Sequence, residues 1–163
     1  MNNDGEVLVK IAGFGVGSSE DTLVTLGLGS CVAVMLHDPV ARVGGLAHIL
    51  LPSPSLTRER ENPGKFPQTA IPLLVERMVA VGASTRRLHA RLAGGASMFG
   101  GLLQGRTMPM GERNLAATRS VLRAERIPIS GEAVGHDFGR SVRFMVGEGR
   151  IEIRAVGRDV TYL

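Results

Sequence analysis

The sequence predicts an α+β protein in which a mixed, largely antiparallel β-sheet and two main helices form a layered sandwich. Short apolar runs with the spacing of β-strands recur along the chain, and glycine-rich turns separate many of them. Only two segments have the longer spacing of amphipathic helices. With 163 residues, of which 44% are hydrophobic, the chain is expected to form one domain over residues 1–163.

The first part of the chain is expected to consist mainly of strands. Residues 6–12 alternate as a first strand, and the glycines and serines of residues 13–21 indicate a loop. Two apolar runs, residues 32–36 and 45–51, flank an Asp-Pro turn and predict an antiparallel hairpin. The polar, proline-rich residues 52–65 follow and are interpreted either as a mobile flap or as a solvated loop without a role.

Two helices and four further strands are expected in the rest of the chain. The first helix should have Thr69 as its N-cap, Pro72 in its first turn and Gly82 as its stop. A second helix is expected at residues 112–126. The strands are expected at residues 87–92, 127–134, 141–146 and 150–156. Between the first of these strands and the second helix, the glycines of residues 94–101 are expected to let the backbone pass close beneath a candidate active site at Cys31.

Composition and charge exclude several functional classes. The net charge is +4, but the basic residues are scattered and the chain has one tyrosine and no tryptophan, so no nucleic-acid binding is expected. A modest positive field instead favours an acidic protein partner. The four histidines and single cysteine lack the close spacing of zinc ligands, so no metal or cofactor is expected.

Localisation is predicted from hydropathy and cysteine content. No apolar stretch approaches the roughly 20 residues of a membrane span, so no membrane insertion is expected. The polar N-terminal residues lack the pattern of a signal peptide, and one unpaired cysteine fits a reducing compartment. A cytoplasmic protein is therefore expected.

The most informative motif is the glycine-rich approach TLGLGSC at residues 25–31, which ends on the single cysteine and continues into an apolar strand. A thiol at such an edge has free backbone N–H groups beside it, so Cys31 is a candidate nucleophile, with Gly29 and Ser30 placed to position the oxyanion or substrate. The alternative is an inert buried thiol. His48, in the second run of the hairpin, is the candidate base, and its alternative is a core histidine.

The predicted hairpin brings these two residues together. If Pro39 and Val40 form the loop, Asp38 pairs with Ala41, and Cys31 then lies directly opposite His48, with Cβ atoms about 5 Å apart. A shift of one residue would send the histidine to the other face. On one face, the imidazole can take the thiol proton, and the resulting ion pair is expected to lower the thiol pKa.

A third group usually orients such a base, and Thr25, Ser30 and Asp38 are near enough in the sequence to be considered. Asp38 is the strongest acceptor, but the hairpin places it at the turn, roughly 23 Å from Cys31 at the rise of a strand. It is therefore interpreted as a turn residue. Its position in the sequence alone gives only weak support for Thr25 as the group that orients His48.

These motifs resemble the signature of the CheD family of chemoreceptor glutamine deamidases. The resemblance covers residues 25–34 (TLGLGSCVAV), 44–52 (GGLAHILLP), 69–74 (TAIPLL), 94–99 (GGASMF), 111–114 (GERN) and 139–140 (GR). It implies a Cys31 nucleophile, a His48 base and Thr25 as the third member of a triad. It further implies a protein-glutamine glutaminase of chemotaxis whose substrates are the cytoplasmic helices of methyl-accepting chemoreceptors, with glutamyl methyl esters as a second substrate.

The sequence departs from the expected pattern at one place. A Gly-Gly pair is expected before the late Gly-Arg, whereas this chain has Gly135, His136, Asp137 and Phe138 there. The two polar residues are interpreted either as a second acid/base or metal pair or as a polar turn between strands.

Two other functions are compatible with the same sequence features. Cys31 and His48 could serve another acyl transfer, in a small-molecule amidase or a peptidase. Alternatively, the protein is a non-catalytic or regulatory binding partner of a CheC-type chemotaxis phosphatase, an association that the family resemblance also implies.

Overall fold

The computed structural model describes residues 5–98 and 107–163, and it confirms the α+β class. The described residues form ten strands and two α-helices. The strands are β1 (Glu6–Leu8), β2 (Phe14–Gly17), β3 (Thr22–Leu28), β4 (Val32–Asp38), β5 (Val43–Ile49), β6 (His89–Gly94), β7 (Ile129–Val134), β8 (Arg140–Met145), β9 (Arg150–Arg154) and β10 (Thr161–Tyr162). The helices are α1 (Pro67–Ala80) and α2 (Met110–Ala124).

The strands form two five-stranded sheets. The first sheet has the order β1-β3-β8-β9-β10, and the second has the order β2-β5-β4-β6-β7. Only the pairs β1–β3 and β6–β7 are parallel among the described strands, so both sheets are mixed and largely antiparallel, as predicted. Both α1 and α2 pack on the second sheet, which therefore lies between the helices and the first sheet.

Burial on both faces explains the unbroken apolar run of β4. Val32, Val34 and Leu36 pack in one cluster with the helices, whereas Ala33 and Met35 pack against the first sheet. Every residue of β4 is buried. A strand covered on both faces has a continuous apolar sequence rather than an alternating one.

The predicted register of the hairpin between β4 and β5 is wrong by two positions. Asp38 pairs with Val43 rather than Ala41, so four residues rather than two connect the strands. The Asp38 carboxylate accepts hydrogen bonds from the amides of Val40 and Ala41, each at 3.0 Å. This side-chain capping stabilises a wider turn than the Asp-Pro pair alone indicates.

Asp38, predicted as a turn residue, is the last residue of β4 and flanks the turn at residues 39–42. Its fully buried carboxylate also accepts the Ser84 amide at 2.8 Å and forms an ion pair with Arg87 at 2.9 Å. Burial alone would raise the pKa of Asp38, but the hydrogen bonds from Arg87 and from neighbouring amides outweigh it and hold this pKa far below its usual value. Asp38 therefore anchors the hairpin to the segment that follows α1.

Several predicted boundaries differ from the structure. The helix α1 begins at Pro67 with Phe66 as its N-cap, not at Thr69, because a proline fits the first helical position without loss of a hydrogen bond. Its predicted end is confirmed by Gly82, whose φ is 111°. The second helix begins and ends two residues earlier than expected.

The segment predicted as a loop at residues 13–21 contains β2, which pairs antiparallel with β5. Its glycines hide the alternation that would identify a strand, and pairing with the buried β5 determines its conformation. The first strand is correspondingly shorter than predicted and ends at Leu8. Among the described residues, no helix combines the length and apolarity that crossing a membrane requires.

The proline-rich residues 52–65 are held at their C-terminal end. The amides of Leu50 and Leu51 donate to the carbonyl of Lys65, and the Asn62 side-chain amide donates to the carbonyl of Ala12 at 3.1 Å. This end of the segment is therefore tied to the exit of the strand that carries His48.

Candidate active site

The three predicted site residues come from three segments that meet between the sheets. Thr25 lies on β3 of the first sheet, Cys31 directly precedes β4, and His48 lies on β5. Thr25 and His48 are fully buried, and Cys31 is 8% exposed. The sandwich therefore brings together residues that the sequence places up to 23 positions apart.

The predicted direct opposition of Cys31 and His48 is wrong, because His48 pairs with Ala33. Cys31 lies two positions before Ala33 and packs in the same cluster between the sheets. A shift of two residues keeps every side chain on its face, whereas a shift of one would have reversed them. The thiol and the imidazole thus share a face as a diagonal pair, for which a regular ladder gives a separation of roughly 7 Å.

The imidazole of His48 is oriented by a short chain of hydrogen bonds. The Thr25 hydroxyl oxygen lies 2.7 Å from His48 Nδ1 and 2.7 Å from the carbonyl oxygen of Val9. Because a carbonyl can only accept, the hydroxyl donates to Val9 and accepts from Nδ1–H. Neutral His48 therefore carries its proton on Nδ1, and Nε2 keeps its lone pair.

The other ring nitrogen is available as a base. His48 Nε2 is buried and has no hydrogen-bond partner among the described residues. A buried polar atom without a partner is costly, and such atoms are often found where a protein acts on a substrate. The geometry therefore presents an unprotonated nitrogen on the face that Cys31 shares.

The electrostatic state of the pair differs from the expected ion pair. Burial raises the pKa of the Cys31 thiol above its ordinary value, and the residue's own backbone N–H opposes this effect. Burial also lowers the pKa of His48 to about 4. Thiol and imidazole are therefore both neutral near pH 7, because no neighbouring charge offsets their loss of solvation.

The backbone around the cysteine has two N–H groups without an acceptor among the described residues. The carbonyl of Gly29 accepts the Ala96 amide at 2.9 Å, and the carbonyl of Cys31 accepts the Gly95 amide at 2.8 Å. The amides of Ser30 and Cys31 donate to no other residue in the described part of the chain. Their N–H groups are therefore candidate oxyanion donors, as expected from the glycine-rich approach.

The close passage predicted for residues 94–101 is confirmed at its first glycine. A Cβ atom on Gly94 would lie 2.3 Å from the Cys31 carbonyl oxygen, and the φ of Gly94 is 97°. Only glycine permits this approach. Residues 99–106, which include the last two glycines of this segment and the phenylalanine of the GGASMF motif, lie outside the described residues.

Sequence reasoning assigned no role to Asn114, a residue of the GERN motif in the first turns of α2. Its side chain is fully buried, and Nδ2 donates to the carbonyls of Ser30 at 2.9 Å and Leu50 at 3.2 Å. One amide group thus joins the residue before Cys31 to a residue two positions after His48. A polar residue on the apolar face of α2, next to Leu115, is the signal that could have identified it.

The departure at His136 and Asp137 forms a bend between β7 and β8. The φ of His136 is 61°, and its carbonyl accepts the Ser97 amide at 2.9 Å. No group of three or more candidate metal ligands occurs within residues 5–98 and 107–163. These residues therefore form a bend between two strands, which agrees with the interpretation as a polar turn.

Comparisons with known proteins agree with this site. The family model described as CheD chemotactic sensory transduction matches residues 50–155. The probable chemoreceptor glutamine deamidase CheD of Caldanaerobacter subterraneus subsp. tengcongensis is 41% identical over 155 residues, which are 95% of this chain and 96% of the relative. The protein of the same name from Clostridium novyi is 41% identical over 160 residues, 98% of each chain.

The family-model match begins after His48, but the longer match to the Clostridium novyi protein leaves only three residues of this chain outside and so spans all three site residues. Among solved structures, the crystal structure of Neisseria meningitidis protein NMB0706 is similar, with a TM-score of 0.50 and 10% identity. The similarity covers 81% of this chain and 62% of that one, and it shows the fold alone.

Proposed function

Because the chain belongs to the CheD family, we propose that it is a protein-glutamine glutaminase that converts glutamine side chains of chemoreceptors to glutamate in chemotaxis. The relatives carry the name of this activity. The observation that supports it most directly is the orientation of His48, whose Nδ1 proton is held by Thr25 while Nε2 is buried with no hydrogen-bond partner among the described residues. A cytoplasmic location would keep this single free thiol reduced.

The first half of the reaction forms a thioester. The Cys31 thiol gives its proton to His48 Nε2 as its sulfur attacks the carbon of the substrate carboxamide. The backbone N–H groups of Ser30 and Cys31 donate to the oxyanion, and Gly29 gives that backbone its approach. His48 then protonates the nitrogen, the C–N bond breaks and ammonia leaves.

The second half restores the enzyme. Water gives a proton to His48 Nε2 and attacks the thioester carbonyl, and the C–S bond breaks as the thiolate regains the proton. The net change is glutamine plus water to glutamate plus ammonia. A glutamyl methyl ester can form the same thioester with methanol as the leaving group, so methyl-ester hydrolysis is a second expected reaction.

The neutral resting state constrains the timing of proton transfer. Burial makes the thiol a weaker acid and His48 a weaker base, so an ion pair formed before attack would be unfavourable. Proton transfer is therefore expected to accompany formation of the C–S bond, when the oxyanion also forms. Thr25 accepts from Nδ1–H throughout and stabilises the transient imidazolium.

The test is intact-mass analysis of chemoreceptor cytoplasmic fragments incubated with the wild type, Cys31→Ala and Cys31→Ser. We expect the mass increase caused by replacing NH₂ with OH for the wild type alone, with release of an equal amount of ammonia. Free glutamine serves as the comparison substrate, and its hydrolysis would indicate a small-molecule amidase. Unmodified fragments, together with full signalling by Cys31→Ala in cells, would favour the role as a binding partner of a CheC-type phosphatase.

A further inference from the structure

A pocket that contains two arginines lies at the bend between β7 and β8. The cavity has a volume of about 470 Å³, within the range of ligand-binding pockets. Its lining includes His136, Phe138, Arg140, Arg158 and Asp159. The reaction proposed above uses none of these residues.

Two guanidinium groups share one aromatic ring in this pocket. The guanidinium carbons of Arg140 and Arg158 lie 4.4 Å and 3.8 Å from the centroid of the Phe138 ring. The His136 ring stacks on the same phenyl group at 5.4 Å. The Phe138 ring therefore contacts two guanidinium groups and one imidazole ring.

In the part of the chain that the structure describes, neither arginine is paired with a carboxylate. Arg140 is 4% exposed, and its Nη1 donates to the carbonyl of Gly94 at 3.3 Å, a neutral acceptor. Within the described residues, neither Arg140 nor Arg158 forms an ion pair, although Asp159 lines the pocket. The carboxylate of Glu132, also in the lining, is held by Arg119 at 2.8 Å.

This arrangement is unfavourable for the free protein. Burial first, and then the charge of Arg158, lowers the pKa of Arg140 from its ordinary value. A buried charge without a partner is costly, and two like charges on one ring repel each other. An anion in the pocket would relieve both effects, and two planar guanidinium groups match the two oxygens of a carboxylate.

Hydrogen bonds connect the pocket to the segment that carries Cys31. The carbonyl of Gly94 accepts from Arg140, and the amide of the next residue, Gly95, donates to the carbonyl of Cys31. A neighbouring cavity, which is also lined by Phe138 and Arg140, reaches Gly27 on the approach to Cys31. A group bound by the arginines therefore lies next to the segment that presents the thiol.

We propose that this pocket binds a carboxylate side chain of the protein substrate while the target glutamine lies at Cys31. The inference rests on the proposed function and adds a docking group to it. Each turnover leaves a glutamate on the substrate, so a protein with several target glutamines supplies such carboxylates itself. The net charge of +4 further favours an acidic partner over a neutral one.

The test measures binding apart from turnover. In the Cys31→Ala background, Arg158→Gln is expected to weaken binding of a fluorescein-labelled chemoreceptor fragment about tenfold by fluorescence anisotropy. Arg158 is exposed, so its replacement is not expected to unfold the protein. The matched control is Arg150→Gln, an exposed arginine that stacks on Tyr162 at 4.1 Å outside the pocket lining, and its effect should stay within about twofold.

A substrate variant completes the test. When the acidic residues flanking the target glutamine are replaced by alanine, Arg158→Gln should no longer change the affinity. Equal affinities of Arg158→Gln and Arg150→Gln for the unaltered fragment would overturn the docking proposal, even if the wild type deamidates it. Inorganic phosphate that binds the wild type but not Arg158→Gln, without a change in fragment affinity, would identify a free-anion site and also overturn the proposal.

Failure of the proposed function would look different. The wild type would then leave the mass of the fragment unchanged, whereas the anisotropy of the Cys31→Ala variants would still report on the pocket. The mass measurement therefore tests the reaction, and the affinity measurement tests the docking group.

Discussion

At the scale of single residues, one hydrogen bond decides which nitrogen of His48 can accept a proton. Thr25 is bound on its other side to the carbonyl of Val9, so its hydroxyl must accept from Nδ1–H. Serine could replace threonine in this relay, but an apolar side chain of the same shape could not. In the proposed reaction, Thr25 therefore positions His48 and does not itself react.

Replacement of Thr25 tests this role. Thr25→Val keeps the shape but removes the acceptor, so the kcat for deamidation should fall about 100-fold, as the preferred tautomer and orientation of His48 are lost. The unpaired Nδ1–H should also reduce the free energy of unfolding by about 1–3 kcal/mol. Thr25→Ser should retain kcat within about threefold. Wild-type kcat in Thr25→Val would show that the hydrogen bond is only structural.

The pH dependence of activity follows from the same histidine. Because the pKa of His48 is lowered to about 4, the neutral base persists well below the pH at which an ordinary histidine gains a proton. The acid limb of kcat/KM should therefore lie near pH 4 rather than near pH 6.5. A pH–rate profile on a chemoreceptor fragment measures this limb, and an inflection near pH 6.5 would contradict the burial of His48 in the free enzyme.

The lowered pKa of His48 also makes the free energy of unfolding depend on pH, and the direction of this dependence is known. The unfolded chain binds a proton to this residue near pH 6.5, whereas the folded chain resists it until about pH 4, so stability falls as the pH drops through this window. The loss should reach at most about 3 kcal/mol and should be absent from His48→Gln. Urea unfolding of both proteins between these pH values measures the difference.

At the scale of secondary structure elements, the site depends on how segments are fastened to one another. Thr25 and His48 are on strands of different sheets, and Cys31 lies in the extended chain before β4. Asn114 on α2 holds the carbonyls of Ser30 and Leu50 with a single amide group. The helix thus ties together the segments that carry Cys31 and His48.

Asn114→Asp is the sharpest test of this clamp. The aspartate has nearly the same size but its carboxylate cannot donate, so both hydrogen bonds are lost and an anion faces two carbonyls. We expect a loss of about 2–4 kcal/mol in the free energy of unfolding and at least a tenfold fall in kcat. Ser120→Ala, an exposed change on the same helix, should stay within about 0.5 kcal/mol. A variant with reduced stability but full kcat would limit Asn114 to a structural role.

The hairpin shows how far sequence reasoning can reach at this scale. The apolar runs around Asp38 predicted the two strands and their antiparallel pairing, but not that the Asp38 carboxylate binds the amides of a four-residue turn and also Ser84 and Arg87, 46 and 49 positions away. The predicted register was therefore displaced, although the shared face of Cys31 and His48 survived. The sequence could mark Asn114 as a polar residue on an apolar helix face but could not name its acceptors, which lie 64 and 84 positions away along the chain.

At the scale of the whole molecule, the two-sheet sandwich and the net positive charge act together. The sandwich buries His48 and Thr25 completely and leaves Cys31 close to the surface. Under the proposed function, the charge of +4 is expected to speed encounter with an acidic substrate. In the proposed reaction, burial controls the pKa values of Cys31 and His48, and the positive field controls how fast the enzyme meets its substrate.

Ionic strength tests the second effect. Between about 50 mM and about 300 mM NaCl, kcat/KM for an acidic chemoreceptor fragment should fall severalfold through KM, with kcat unchanged, because salt screens the attraction. Hydrolysis of a neutral p-nitrophenyl ester at Cys31 is the control and should not change with salt. A parallel loss for the neutral ester would show that salt acts on the enzyme rather than on encounter.

The sequence by itself determined the α+β class, the segments that carry Cys31 and His48, and the shared face of these two residues, because periodicity and turn residues act locally. Thr25 and the glutamine substrate came from family resemblance. Only the tertiary structure decided the tautomer of His48, the neutral state of the pair, the clamp by Asn114 and the pocket of Arg140 and Arg158. These features arise from contacts between distant segments, which local spacing does not encode.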